Sequence, residues 1–190
     1  MAKLIVSEFV SLDGVMEAPG GEPTHPHSGW VIELAGEEQM QYKLQEVLDA
    51  GSLLIGRVTY EGFSQAWPQR DGEFADKMNS MPKHVVSSTL SEPLAWNNSS
   101  VIAGDIAASV ARLKEATAGP ITVAGSATLV AFLLEHDLVD ELRLMVFPVL
   151  IGEGKRCFPR SLQQKKRFRL ASSQEFSTGV AVHTYEPAAS

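Results

Sequence analysis

Two short stretches carry residue types suited to holding an anion. They are Gly56-Arg57-Val58-Thr59, after the run Leu53-Leu54-Ile55, and Gly125-Ser126-Ala127-Thr128-Leu129, after Ile121-Thr122-Val123-Ala124. In each, an aliphatic, β-branched run stops at a glycine and gives way to a helix-compatible segment, which is how open α/β sheets build ligand crevices at the carboxyl ends of strands. Glycine admits close backbone approach, and the helix that follows offers free N–H groups and the positive end of its dipole. Arg57 adds a planar fork that matches phosphate, so the first ligand to consider is a nucleotide carrying an extra phosphate. Arg57 also admits a plainer reading, as one half of a surface ion pair.

Ser87-Ser88-Thr89 closes a third apolar run and offers hydroxyls to ribose or phosphate oxygens, although hydroxyl residues are also common turn formers. Asp13, in Leu12-Asp13-Gly14, reads either as a turn aspartate or as the group that orients a substrate or a proton-carrying water. His25-Pro26-His27 has a metal-like spacing, but no Cys or acidic cluster accompanies it and no metal is expected. Gly152-Glu153-Gly154-Lys155 lacks the GxxxxGK[ST] spacing of a phosphate-binding P-loop. Cys157 is the lone cysteine and has no partner for an internal disulfide.

The elements that must position these groups follow a βαβ rhythm of short Val- and Ile-rich runs separated by helix-like segments, the signature of a mostly parallel sheet. Strands are predicted over Lys3 to Val10, Leu53 to Ile55, His84 to Ser87, Val101 to Ala103 and Ile121 to Ala124. Gly36 to Ala50 reads as a helix with Met40, Leu44, Val47 and Leu48 on its inner face. Asp105 caps a helix to Ala116, and Ser126 caps Ala127 to Glu135. Glu141 to Pro148 and Val180 to Tyr185 then follow without an intervening helix, so they are expected to pair antiparallel at one edge. Ala18 to Gly29, rich in Pro, Gly and His, is long enough to serve as a lid.

At 190 residues, 44% hydrophobic and 21% charged, the chain can bury a full core as one domain over 1–186, with 187–190 expected as a disordered tail. A net charge of -7 argues against a nucleic-acid surface. No apolar stretch reaches membrane-spanning length. The absence of a signal-peptide core after Met1, with the single cysteine, points to a cytoplasmic setting. The apolar run Leu144-Met145-Val146-Phe147, on an expected sheet edge, suggests a homodimer.

Taken in order, Ser11-Leu12-Asp13-Gly14, Gly56 to Tyr60, Val85 to Thr89, Gly125 to Leu129, Leu138 to Leu142 and Pro148 to Gly154 resemble the dihydrofolate reductase-like superfamily. Within it the chain looks closest to the C-terminal reductase domain of bacterial riboflavin biosynthesis. The resemblance implies a three-layer α/β/α fold, an eight-stranded sheet with an antiparallel C-terminal edge, and NADPH lying across the strand ends. It implies further that Gly56, Arg57 and Thr59 serve the phosphates, that Ser87, Ser88 and Thr89 line the adenosine ribose, and that Gly125, Ser126, Ala127, Thr128 and Leu129 wrap the diphosphate. Val10 and Trp30 become expected walls of the substrate pocket beside Asp13. Where the superfamily usually has two glycines this chain reads Gly125-Ser126. After Trp30 the carboxylates Glu33, Glu37 and Glu38 lie off the offset that folate reduction uses. The implied activity is hydride transfer from NADPH to a small heterocyclic, imine or carbonyl substrate, with 5-amino-6-(5-phosphoribosylamino)uracil as the specific case. A non-catalytic NADPH sensor and a dihydrofolate reductase are the alternatives.

Overall fold

The computed structural model describes residues 1–158 and 164–188. Eight strands form one sheet: β1 (Leu4–Ser11), β2 (Ser52–Gly56), β3 (Lys83–Val86), β4 (Ser99–Ile102), β5 (Ile121–Val123), β6 (Glu141–Phe147), β7 (Phe168–Glu175) and β8 (Ala181–Pro187). Their order is β4-β3-β2-β5-β1-β6-β8-β7. The six strands from β4 to β6 are mutually parallel, and β8 runs antiparallel to both β6 and β7. The implied sheet and its antiparallel C-terminal edge are both present.

Five helices cover it: α1 (Glu37–Asp49), α2 (Arg57–Ala66), α3 (Glu73–Ser80), α4 (Ile106–Ala116) and α5 (Ala127–Glu135). Strand alternation sorts the core between two faces. Leu4, Val6, Leu54 and Val123 pack with Val110 of α4 and with Leu129, Val130 and Leu133 of α5. Leu53, Ile55 and Val85 face the other way, against Val47 of α1, Tyr60 of α2 and Met78 of α3. The result is the three-layer α/β/α arrangement. Asp105 caps α4 as expected, its Oδ1 accepting from the Ala108 N–H at 3.0 Å.

Several expectations are corrected. The inner face of α1 is built from Gln39, Glu46 and Val47, whereas Met40 is 55% exposed. A buried ionic cluster draws this helix in where an apolar stripe was expected. The run Leu144-Met145-Val146-Phe147 lies in β6, between β1 and β8, with Leu144, Met145 and Phe147 buried inside the chain, so it offers no surface to a second copy. The edge strand on that side is β7, whose residues from Arg169 onward are exposed. Pro187, expected in a tail, ends β8, and the Ala188 N–H donates to the Arg167 carbonyl; residues 189 and 190 of that expected tail lie outside the described residues. No helix is long and apolar enough to cross a membrane among the described residues.

Candidate functional site

Register places the sequence-predicted groups along one rim. Gly56 pairs with Val86, so Ser87 follows beside Arg57. Leu54 pairs with Val123, and the Gly56 N–H donates to the Gly125 carbonyl at 3.2 Å, so the starts of α2 and α5 touch. Val6 is opposite Val123, which brings β1 alongside the same turn. The rim therefore runs from Ser87 to Gly56 and Arg57, then to Gly125 and Ser126, at the carboxyl ends of β3, β2 and β5.

The center of this rim is packed to backbone contact. A Cβ on Gly56 would lie 2.4 Å from Ser126 Oγ, and one on Gly125 would lie 2.9 Å from Thr59 Oγ1. Gly125 also has φ +81, a conformation L side chains rarely adopt. The peptide from Gly125 to Ser126 is cis. The turn is thus built with a serine where the superfamily usually has a second glycine. Ser126 occupies the N-cap position of α5, but its hydroxyl accepts nothing from the helix and lies over Gly56; the expected side-chain cap is corrected on that ground. Gly56 caps α2, also without a side-chain bond. Two helix N-termini with no side-chain cap therefore open side by side, each with first-turn N–H groups that lack intrahelical partners. This arrangement suits two neighboring phosphates.

Around that center, Thr59 faces Gly125, and Ala127 and Thr128 start α5 while the Leu129 side chain is buried in the core, leaving only its backbone to the rim. Arg57 is exposed and its Nη1 reaches both oxygens of Glu61, at 2.8 and 2.9 Å. Ser87 is buried, and its Oγ accepts from the Thr89 and Leu90 N–H groups at 3.1 and 3.0 Å. It shapes the turn that exposes Ser88 and Thr89.

The substrate-side expectations change more. Asp13 Oδ1 accepts from Ser11 Oγ at 2.6 Å and the Ile151 N–H at 3.1 Å, while Oδ2 accepts from the Gly152 N–H at 2.7 Å. The Ser11 hydroxyl above all, with the two amides adding to it, holds its carboxyl down to about 2 despite the opposing effect of burial. A carboxylate so engaged pins the loop after β6 to the end of β1, and it is no proton donor near neutrality. Val10 and Trp30 share no wall. Val10 packs with Leu129 and Leu144 on the α5 face, while Trp30 stacks edge-on against Phe147 at 5.5 Å on the other. Sheet alternation separates them. Trp30 and Phe147 are both buried, and half-buried Phe9 packs edge-on against Phe147 with ring centroids 5.7 Å apart, so Trp30 belongs to an aromatic core cluster.

Sequence reasoning missed two polar features of β1. Ser7 donates to Glu46 of α1 at 2.8 Å to Oε2, Lys43 Nζ donates to Ser7 at 2.9 Å and also reaches Glu46, and Arg143 of β6 joins Glu46 at 3.1 Å and Glu141 at 2.6 Å. Burial opposes ionization of Glu46, yet the two cations and the hydroxyl outweigh it and hold this carboxyl below its ordinary value. Glu8, on the opposite face, is buried, with its Oε1 accepting from the Gly125 N–H at 2.6 Å. Burial pushes it up to about 8 despite that bond and the nearby Lys43. The available signal was a carboxylate inside the run Leu4 to Val10, where apolar residues are the rule.

A parallel sheet with an antiparallel C-terminal edge, and paired helix starts at its central strand ends, define a dihydrofolate reductase-like α/β domain. Solved structures agree: a Shewanella sp. PV-4 protein assigned to riboflavin biosynthesis superposes with TM-score 0.77 at 22% identity, over 100% of both chains. Enterococcus faecalis dihydrofolate reductase, complexed with NADP(H), gives 0.64 at 14% identity over 97% of this chain and 96% of its own. The chain belongs to the RibD C-terminal domain family, whose model matches residues 2–182. Among curated relatives, the uncharacterized protein YyaP of Bacillus subtilis (strain 168) is 28% identical over 188 residues, covering 96% of this chain and 94% of that one.

Proposed function

We propose that this protein is an NADPH-dependent reductase that transfers hydride to a small heterocyclic, imine or carbonyl substrate, with 5-amino-6-(5-phosphoribosylamino)uracil as the first compound to try. The observation that carries the reading is the junction of Gly56, Thr59, Gly125 and Ser126, where the absence of a side chain at either glycine lets the starts of α2 and α5 pack side by side, so that their free first-turn amides share one rim. The groups fit a dinucleotide diphosphate, because the first-turn amides of α2 and α5 supply donors and positive dipole ends without bringing in a competing carboxylate cap. Bound NADPH supplies the hydride, and the protein supplies alignment and exclusion of water.

Arg57 discriminates between cofactors in this reading. Its exposed i,i+4 pair with Glu61 is worth about 0.3–0.5 kcal/mol, whereas a charge-assisted bond to phosphate is worth about 1.5–3 kcal/mol. A 2′-phosphate therefore takes the guanidinium from Glu61.

Calorimetric titration of the wild type and Arg57→Ala with NADPH and NADH tests the cofactor. The wild type is expected to prefer NADPH, and the variant to lose about tenfold in NADPH affinity, the lower end of that bond's worth, with little change for NADH. Binding of neither cofactor would end the reductase reading. Substrate reduction is followed by loss of NADPH absorbance with the uracil compound present. Tight binding without oxidation across heterocyclic and carbonyl substrates would instead support the non-catalytic sensor.

A further inference from the structure

Glu8 is a buried titratable group that the proposed reaction does not use. It stands on β1 among Val6, Val10 and Leu144 of the α5-side core, a place where an aliphatic residue would pack well. What distinguishes the position is the Gly125 N–H, which points at Glu8 Oε1 from 2.6 Å. That amide opens the turn into α5, its residue has φ +81, and the preceding strand has ended at Val123, so no sheet partner is in register to accept from it. An aliphatic side chain at position 8 would leave this amide buried and unpaired. The carboxyl thus closes the turn from behind, while the α5 N-terminus faces the rim in front.

We propose that Glu8 is a positioning residue for the anion site: its protonated carboxyl fixes the Gly125-Ser126 turn so that the α5 amides face a phosphate, and loss of that proton weakens phosphate binding. The proposal rests on the anion-binding reading of the rim given above. The physical cause is charge. A neutral carboxyl accepts from Gly125 without opposing an anion at the neighboring helix terminus, whereas a buried carboxylate there faces the bound phosphate across a poorly screened interior. The groups around it do not cancel that charge. Lys43 of α1 attracts it, Glu46 of the same helix opposes it, and Cys157, after β6, is itself pushed up by burial and by Glu8 and stays a neutral thiol. Lys43 is moreover committed to Ser7 and Glu46 on the other face of the sheet. Burial dominates and keeps the proton on Glu8 up to about pH 8.

The experiment measures affinity for NADPH from pH 7 to 9.5, above the range where its phosphate monoester completes its ionization near pH 6, and, separately, for inorganic pyrophosphate, whose own last ionization falls inside this range and is divided out against Glu8→Gln at each pH. Wild type, Glu8→Gln, Glu8→Leu and Cys157→Ala are compared. Wild-type affinity is expected to fall at least fivefold across the range, with the same fall in Cys157→Ala. Glu8→Gln keeps a neutral acceptor, so its affinity matches the low-pH wild type and stays flat. Glu8→Leu binds weakly at every pH. Infrared difference spectra without any ligand provide a second readout: a protonated-carboxyl band that bleaches through about pH 8 and is missing in Glu8→Gln. Pyrophosphate binding without NADPH binding would sink the reductase reading and leave this one standing. A wild-type profile as flat as that of Glu8→Gln, absence of the carboxyl band, or binding of neither ligand would overturn it.

Discussion

Gly56→Ala isolates the contact that joins the two helix starts. The residue has φ -79 and ψ 162, a conformation open to alanine, so the backbone itself makes no objection. The added methyl carbon meets Ser126 Oγ at 2.4 Å, Ser126 Cβ at 3.2 Å and Ser126 N at 3.3 Å. Neither side yields easily, because Gly56 is buried in β2 and Ser126 is followed by a helix whose Leu129, Val130 and Leu133 are fixed in the core. Overpacking of this kind costs about 1–3 kcal/mol. Ser126→Gly removes the two atoms under 3.3 Å and, since the hydroxyl caps nothing, costs only a few tenths of a kcal/mol by itself. The double variant should then recover about 1–2 kcal/mol of the loss. Urea unfolding of the four proteins gives the coupling, and titration with NADPH gives its functional counterpart. Gly62→Ala is the control: on the same helix, with nothing within 4 Å of the added carbon, it should stabilize by about 0.5–1 kcal/mol. If the losses in Gly56→Ala and Ser126→Gly simply add, the packing argument for the junction fails.

Two further outcomes follow from the polar groups of β1 and its loop. The Asp13 carboxyl lies below its unfolded value of 3.8, so its contribution to stability is complete above about pH 4 and is lost as the pH falls through about 2. Asp13→Ala should abolish that acid limb in pH-dependent melting and speed tryptic cleavage after Lys155 or Arg156 about tenfold; an unchanged cleavage rate would show that the loop is held by other means. Glu46→Ala leaves Lys43 and Arg143 together without their shared carboxylate and should cost about 3–5 kcal/mol in urea unfolding; a loss under about 1 kcal/mol would mean that solvent replaces the missing charge.

Where local chemistry was sufficient, the sequence could be read closely. The strand at Leu53-Leu54-Ile55, its terminating glycine, and the Asp105 cap are set by neighbors within a few residues, and each is found. β7 was harder to see, because an exposed edge strand carries almost no apolar pattern: only Phe168 and Leu170 are large and apolar in Phe168–Glu175. The inner face of α1 was misassigned for the converse reason. Glu46 has its partners in Ser7 and Arg143, distant in sequence, so the apolar spacing put Met40 on the inner face and left Glu46 out of it.

The candidate site divides along the same line. Residue type and order alone determined which stretches could hold an anion, since a strand-ending glycine before a helix is a local signal, and in Gly56 and Gly125 it marked both halves of the junction. Only the tertiary structure decided what those halves touch. Register across β2, β5 and β1 brought Ser126 onto Gly56 and Glu8 behind Gly125, sheet alternation set Val10 and Trp30 on opposite faces, and a loop from the far side of β6 took both oxygens of Asp13. These contacts span 70 to 139 positions of chain, distances over which side-chain identity carries no pairing information until the backbone has folded.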